Sequence, residues 1–376
     1  MRSAATLAWR LLTHDPGRLA TSLGGLSFAL VLMLVQMGFR NSLLDSALAL
    51  VESLDADVFV SHKDKRYFAI RDPIPRQRLY QALSVPGVQA AYPMWMDELY
   101  WKNLEDGTQR PVRVLGFEPQ DPVFTLEEVK RAAPELAWPD TALIDRRSRR
   151  YYGRLGPGPA QVQRHALRVV GTFALSTELG TDGNLIVGEP TFRRVGRTPA
   201  NQIEMVLVKA APGVDPAALA PALRAALPTD VEVHTRDQIR RRDLDYWNSS
   251  TPVSVVVLIG MVMGFVVGVV ICYQILYTDI MDHLPEFATL RAMGYRNGFL
   301  IGVVLFEAAL LSVTAFVPSI LIGAGFYALL AAATGFVVRL TFLRAGLVLA
   351  MTLAMCMLAA VLALRKALQA DPAELF

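Results

Sequence analysis

The chain is nearly devoid of cysteine: 2 in 376 residues, Cys272 and Cys356, both inside apolar runs. The roughly 200 residues between the first apolar run and the second contain none, so no disulfide holds that stretch together and an ordinary core must stabilise it. The two cysteines read as small packing residues. A phosphate-binding Gly-x-x-x-x-Gly-Lys-Ser/Thr loop is missing, which excludes ATP binding through a P-loop. There is no His-Glu-x-x-His, and His14, His62, His165, His234 and His283 are scattered without metal-ligand spacing. A Gly-x-Ser-x-Gly elbow is missing too. Nor is there the basic excess that nucleic acid demands: residues 41–250 hold 27 Lys/Arg against 27 Asp/Glu. The sequence therefore points to no catalytic residues, no metal, no bound cofactor and no nucleic-acid partner.

What is present is hydrocarbon, unevenly placed. The chain is 53% hydrophobic, with a mean hydropathy of +0.35. One apolar span covers about Leu19–Phe39; three more, about Pro252–Thr278, Phe299–Ala333 and Ala345–Leu364, crowd the last third. Each reaches the ~20 residues that a helix needs to cross a bilayer core. The expected fold class is an α-helical membrane protein with four transmembrane helices in a 1+3 layout and one large α+β extracytoplasmic domain. The expected boundaries are a cytoplasmic interfacial segment at 1–18, helices at 19–40, 251–278, 298–333 and 345–365, the inserted domain with stalk helices at both ends at 41–250, a cytoplasmic loop at 279–297, a short outer loop at 334–344 and a cytoplasmic tail at 366–376.

Flanking charge sets the orientation. Arg2, Arg10, Arg18, Arg291, Arg296, Arg365 and Lys366 lie on one side, and only Arg339 and Arg344 on the other. By the positive-inside rule both termini are cytoplasmic and the insert lies outside. The first span starts late, is too long for a signal-peptide core and lacks an Ala-x-Ala site after it, so it reads as a retained anchor. Residues 4–13 read either as an interfacial helix with Trp9 at headgroup depth or as a frayed tail.

Past the first span, Leu44, Leu48, Val51 and Leu54 recur at helical spacing, which extends that helix into a stalk. Thr235–Trp247, charged and free of Gly and Pro, is the candidate return stalk, with Tyr246 and Trp247 as interface anchors. Between them the pattern is α+β: strands at 56–61, 88–101, 110–117, 203–208 and 231–234, and helices at 75–83 and 216–227. Two βαβ-like units flank a weaker middle, about 118–200, read as a second lobe inserted into the first. Pro318 interrupts the third span, where it either kinks the helix or starts its exit.

The richest motif is the loop between spans 2 and 3, where Pro285 can start a short helix, Glu286 and Arg291 suit its two ends, and Gly294 stops it. Phe287, Leu290 and Met293 would then be offered either to a groove in a cytoplasmic partner or to lipid headgroups. In the spans, Gly260, Gly264 and Gly268 form a double small-residue repeat, and Gly24 and Gly25 a similar face on span 1, predicting span 1–span 2 packing, either within a subunit or across a dimer. Glu307, early in span 3, is the intramembrane polar candidate: it either bonds within the bundle or snorkels to the inner interface.

The segment Glu286-Phe-Ala-Thr-Leu-Arg-Ala-Met-Gly294 resembles the Glu-x-Ala-x-Leu-Arg-Ala-x-Gly loop of FtsX-like permeases, the membrane subunits of MacB-type ABC transporters. The 1+3 order, Glu307 in Phe306-Glu-Ala-Ala-Leu-Leu-Ser, and the ending Ala370-Asp-Pro-Ala-Glu-Leu-Phe376 are similar as well. Leu7-Ala-Trp-Arg-Leu-Leu12 and Gln36–Asp45 resemble the DevC branch, in which the ATPase is a separate chain. The resemblance implies an insert of the MacB periplasmic-core type and an inner-membrane homodimer paired with two cytoplasmic ABC ATPase subunits that use ATP and Mg. It also implies a loop helix seated in the ATPase, and stalks that carry its motion to a membrane-fusion adaptor and, through it, a TolC-like outer-membrane channel. The implied cargo is a glycolipid or another hydrophobic molecule. Two other members of this group share the topology: FtsX itself, a regulator of cell-wall hydrolases, and the lipoprotein-releasing LolC/LolE permeases.

Overall fold

A computed structural model of the chain describes residues 9, 16–178, 180–250, 252–285, 289, 293–294, 297–334 and 341–369. The chain divides into two compact units. One comprises Met1–Asn41, Pro252–Leu329 and Val338–Phe376; the other comprises Ser42–Thr251 and Leu330–Val337.

The α/β unit is entered along helix α1 (Pro16–Ser53), whose proline suits a first helical position. Its strands and helices follow in order: β1 (Val58–His62), β2 (Ile74–Pro75), α2 (Gln77–Leu83), β3 (Val88–Lys102), β4 (Gln109–Phe117), α3 (Glu127–Leu136), β5 (Thr141–Asp145), β6 (Gly158–Val162), β7 (His165–Phe173), β8 (Asn184–Gly188), α4 (Glu189–Val195), β9 (Gln202–Ile203), β10 (Met205–Ala210), α5 (Pro216–Ala226), β11 (Val231–Thr235) and α6 (Arg236–Ser249).

Nine strands join one sheet in the order β11-β1-β10-β3-β4-β8-β5-β7-β6. The first four are the two split βαβ units: β1 and β3 run parallel with β10 antiparallel between them, and β10 and β11 flank β1 in the same way. The sequence reading of a separate middle lobe is corrected here. Strand β3 is 15 residues long, and its first half pairs with β10 while its second pairs with β4. The middle section therefore continues the same sheet. At the far end β6 pairs back onto β3, Trp101 opposite Val162, which closes a six-stranded ring and removes an open edge.

Alternation along the strands builds two cores. Val58 and Val60, with Val206 and Val208, join the cluster that contains Leu79 of α2, Leu219 and Leu223 of α5, and the ring interior around Trp95. Phe59, Met205 and Leu207 point the other way, to Leu50 and Val51 of α1, Leu54 just beyond it, Val129 of α3 and Ile239 of α6. Period-two side-chain placement makes both faces apolar, so both must be covered.

The other unit holds α7 (Pro252–Asp282), α8 (Asn297–Thr334) and α9 (Phe342–Gln369), with the first part of α1. Four helical stretches, Leu19–Ser53, Ser254–Asp282, Ile301–Ala331 and Phe342–Lys366, are long and apolar enough to cross a membrane. They share a core of Leu26, Leu30 and Met33 from α1, Cys272 and Leu276 from α7, Ala308 and Leu311 from α8, and Cys356, Ala359 and Ala360 from α9. Pro318 does not end its helix; α8 runs on to Thr334. Hydroxyls crowd the proline turn: Ser319 and Ser27 of α1 both donate to the Ala315 carbonyl, and Thr314 donates to Leu310 O. Such side chains, with neighbouring helices, let a membrane helix tolerate proline.

Candidate functional site

The connection between α7 and α8 starts at His283, whose backbone N–H donates to Asp279 O at 3.1 Å. Thr289 Oγ1 donates to Pro285 O at 3.0 Å, and the Met293 N–H to Thr289 O at 3.0 Å. Met293 is 63% exposed. Gly294 has φ +90°, the left-handed conformation that ends helices and that glycine adopts without a Cβ penalty. Glu286, Phe287, Leu290 and Arg291 lie outside the described residues, as do Arg2, Arg10, Arg296, Arg339 and the ending 370–376. Of the segment 4–13 only Trp9 is described, and it is exposed.

Within the spans, α1 and α7 meet along the glycines. A Cβ on Gly260 would lie 2.5 Å from the Gln36 side-chain amide, and one on Gly264 would lie 3.0 Å from Met33 Cγ. Gly268 faces Ala29 at 3.3 Å and also Met355 of α9, and Gly25 faces Ile271 at 3.2 Å. The partners on α1, residues 36, 33, 29 and 25, step by three or four, as one helix face does. Gly24 is not part of this seam: a Cβ there meets nothing within 4 Å. Instead Gly24 lines an apolar groove of about 620 Å³ with Ser27, Phe28 and Pro318. Glu307 is 2% exposed. Span 3 also holds span 1 at Tyr327, whose hydroxyl donates to Leu34 O and whose ring lies on Gly38.

In the α/β unit the ends of α1 and α6 share a cluster of polar contacts. Of the predicted stripe, Leu48, Val51 and Leu54 are buried and Leu44 is half-buried. Helix α6 opens with a capping box in which Thr235 N–H donates to Gln238 Oε1 at 3.0 Å and Gln238 N–H to Thr235 Oγ1 at 3.4 Å. Tyr246 and Trp247, read from sequence as interface anchors, pack on the Tyr67 ring at centroid distances of 5.0 and 5.6 Å. Beside them Asp243, 1% exposed, accepts the Phe68 N–H at 3.0 Å. Burial pushes its carboxyl up to about 6, against the opposing pull of that N–H and of Arg242. Lys65 and Glu204, both fully buried, form an ion pair, and Glu204 also accepts the Asp72 N–H at 2.9 Å. Burial lowers the Lys65 pKa even with Glu204 beside it. Among the described residues no group of three or more His, Cys, Asp or Glu side chains could hold a metal ion.

Residues 256–372 match the family model of the FtsX-like permease C-terminal domain. This FtsX-like segment takes in nearly all of α7, the connection after it, and helices α8 and α9. No curated protein matches the chain. Among solved structures, the chain is similar to the periplasmic region of MacB from Actinobacillus actinomycetemcomitans, at 11% identity, 50% of this chain, 91% of that one and a TM-score of 0.35. It is also similar to the extracellular domain of the noncanonic ABC-type transporter YknZ from Gram-positive bacteria, at 12% identity, 48% of this chain, 99% of that one and a TM-score of 0.33.

The predicted residues thus fall into separate places. Gly260, Gly264, Gly268 and Gly25 line one seam, Gly24 faces the groove, Glu307 is inside the bundle of the FtsX-like segment, and Met293 and Gly294 end the connection. Sequence reading missed the Lys65–Glu204 pair, whose partners are 139 residues apart. It also missed Arg236, although Thr235-Arg-Asp-Gln238 carries a capping-box spacing that marks where α6 begins.

Proposed function

We propose that this chain is the permease subunit of an ABC transporter whose ATPase is a separate cytoplasmic chain. The observation that carries the reading is the FtsX-like match over 256–372, which contains the loop Glu286–Gly294 between two apolar helices. The permease works by mechanotransmission. The loop helix docks on the ATPase through Phe287, Leu290 and Met293, and ATP-driven motion passes through α1 and α6 to the α/β domain outside the membrane. A conduit for polar cargo fits less well. Among the described residues of the spans, the buried charged side chains are Asp279 and Glu307, too few to line an aqueous path. The termini and the loop are cytoplasmic, the membrane is a bacterial inner membrane, and two copies pair with two ATPase subunits. The outer partner is an adaptor protein leading to a TolC-like channel, with a glycolipid or another hydrophobic cargo. The DevC branch fits this division of labour.

Co-purification of the tagged full-length chain from native membranes, with identification of what accompanies it, tests the reading. An ABC ATPase stimulated by the permease is expected. Leu290→Asp or Arg291→Glu should then return its ATP hydrolysis to the level of the ATPase alone. Recovery of a cell-wall hydrolase or a lipoprotein without an adaptor would shift the reading to an FtsX-like regulator or a LolC/LolE-like permease, and absence of any ATPase would overturn it.

A further inference from the structure

We propose that Arg236 is the clamp that locks the incoming helix of the α/β domain to the outgoing one, so that displacement of either is passed to the other. The inference rests on the mechanotransmission reading and names the residue that would make it work. Helix α1 ends at Ser53, and its last four carbonyls lack the backbone N–H partner that a continuing helix would supply. All four are met. Ser53 Oγ donates to Leu50 O at 2.7 Å. Thr125 serves the last two: its N–H donates to Ser53 O at 2.8 Å and its hydroxyl reaches Glu52 O at 3.4 Å. The fourth, Val51 O, accepts from Arg236 Nη1 at 3.0 Å and, less closely, from the Leu54 N–H at 3.4 Å. Arg236 Nη2 goes on to Leu54 O at 2.6 Å and Ala56 O at 2.7 Å, the turn that leads from α1 into β1.

Arg236 is also the first residue of α6. Its N–H donates to Asp57 O at 3.3 Å, and its guanidinium lies 5.8 Å from the Phe59 ring centroid. One residue thus holds the end of α1, the start of β1 and the start of α6. A cation at a helix C-terminus also complements the helix dipole. Only a planar fork with several fixed donors reaches three carbonyls at once; a lysine ammonium keeps the charge and loses the geometry. The second tie between the two helices, Arg240 to Glu52 at 3.1 Å, has both partners about half exposed, where ion pairs contribute little.

The test uses the full chain, with the ATPase that co-purifies with it, in lipid nanodiscs. Nitroxide labels at Asp45→Cys and Asp245→Cys, on α1 and α6, report the distance between the helices; Cys272 and Cys356 are buried. The native arginine should give a narrow distribution and permease-stimulated ATP hydrolysis. Arg236→Met and Arg236→Lys should both broaden the distribution and remove the stimulation, while Arg240→Gln leaves both unchanged. Arg236→Lys with an unaltered near-ultraviolet circular dichroism spectrum keeps the test valid should Arg236→Met misfold. An unchanged narrow distribution in Arg236→Met and Arg236→Lys overturns the clamp. A broadened distribution with stimulation intact, or with no ATPase recovered, upholds the clamp and overturns the mechanotransmission reading.

Discussion

The α/β unit and the helical unit bury their cores by different chemistry. In the α/β unit, alternate strand residues feed two apolar clusters, and fixed partners lock the pattern: the buried Lys65–Glu204 pair, Asp243 on the Phe68 N–H, and Arg236 on three carbonyls. In the helical unit, glycines admit the side chains of a neighbouring helix, and hydroxyls donate to carbonyls across helices, as Ser27 does to Ala315 and Tyr327 to Leu34. Water drives apolar burial in the first; lipid is as apolar as leucine, so close approach and hydrogen bonds must do so in the second. Glycine shows the contrast most directly. A Cβ at Gly188 would run into the backbone carbonyl of Leu136, which cannot yield, whereas a Cβ at Gly264 meets the flexible Met33 side chain at 3.0 Å.

Breaking the polar lock should have the largest effect. Lys65→Met leaves the Glu204 carboxylate buried without its cation and should cost about 3–5 kcal/mol, with the double variant Lys65→Met/Glu204→Leu recovering most of it. Denaturant titration of the full chain in detergent, followed through the buried Trp95, measures both; equal losses in the single and double variants would refute the account.

Asp243 comes next, and its sign is opposite to that of an ordinary paired carboxylate. Its folded pKa of about 6 exceeds the reference value of 3.8, so the folded state holds this proton more tightly than the unfolded chain. Its contribution favours the fold below about pH 4 and declines as pH rises toward 6. Relative to Asp243→Asn, the native protein should therefore lose stability across pH 4–6, by at most about 3 kcal/mol. Asp121, also pushed up to about 6 by burial, is present in both proteins and cancels in the difference. A flat difference between the two curves would mean that Asp243 stays ionised throughout.

The smallest effect sharpens the glycine contrast. Gly188→Ala should cost about 1–3 kcal/mol, because a backbone carbonyl must move, and Gly264→Ala less than about 1 kcal/mol, because a methionine can turn aside. Thermal inactivation of the two variants side by side should rank them in that order; the reverse ranking would show that the α1–α7 seam is the more tightly packed.

Patterns within a segment were legible in sequence, and pairings between distant segments were not. The four apolar spans follow from the length of their runs, and the stripe Leu44–Leu48–Val51–Leu54 and the split βαβ ends from periods of 3.6 or 2. The single sheet did not, because β3 looks like any long strand until β10, β4 and β6 are seen pairing along its length. Of the two sequence readings of Pro318, the exit from the helix does not occur, and the hydroxyls around its turn include Ser27 from another helix, which no local pattern shows. Gly24 has the composition of a seam residue, and only its position on the helix sets it apart from Gly25.

The placement of β10 between β1 and β3 also bears on how the domain is made. Among the described residues strand β1 pairs with β10, which begins at Met205, and with β11, which begins at Val231. During synthesis β1 therefore has no strand partner until roughly 140 residues beyond its own end have been made. Up to then β1 and one side of β3 are open, aggregation-prone edges. The last 50 residues of the insert are thus a keystone: a ribosome that stops before them leaves a domain with its middle section formed and its first strand unpaired.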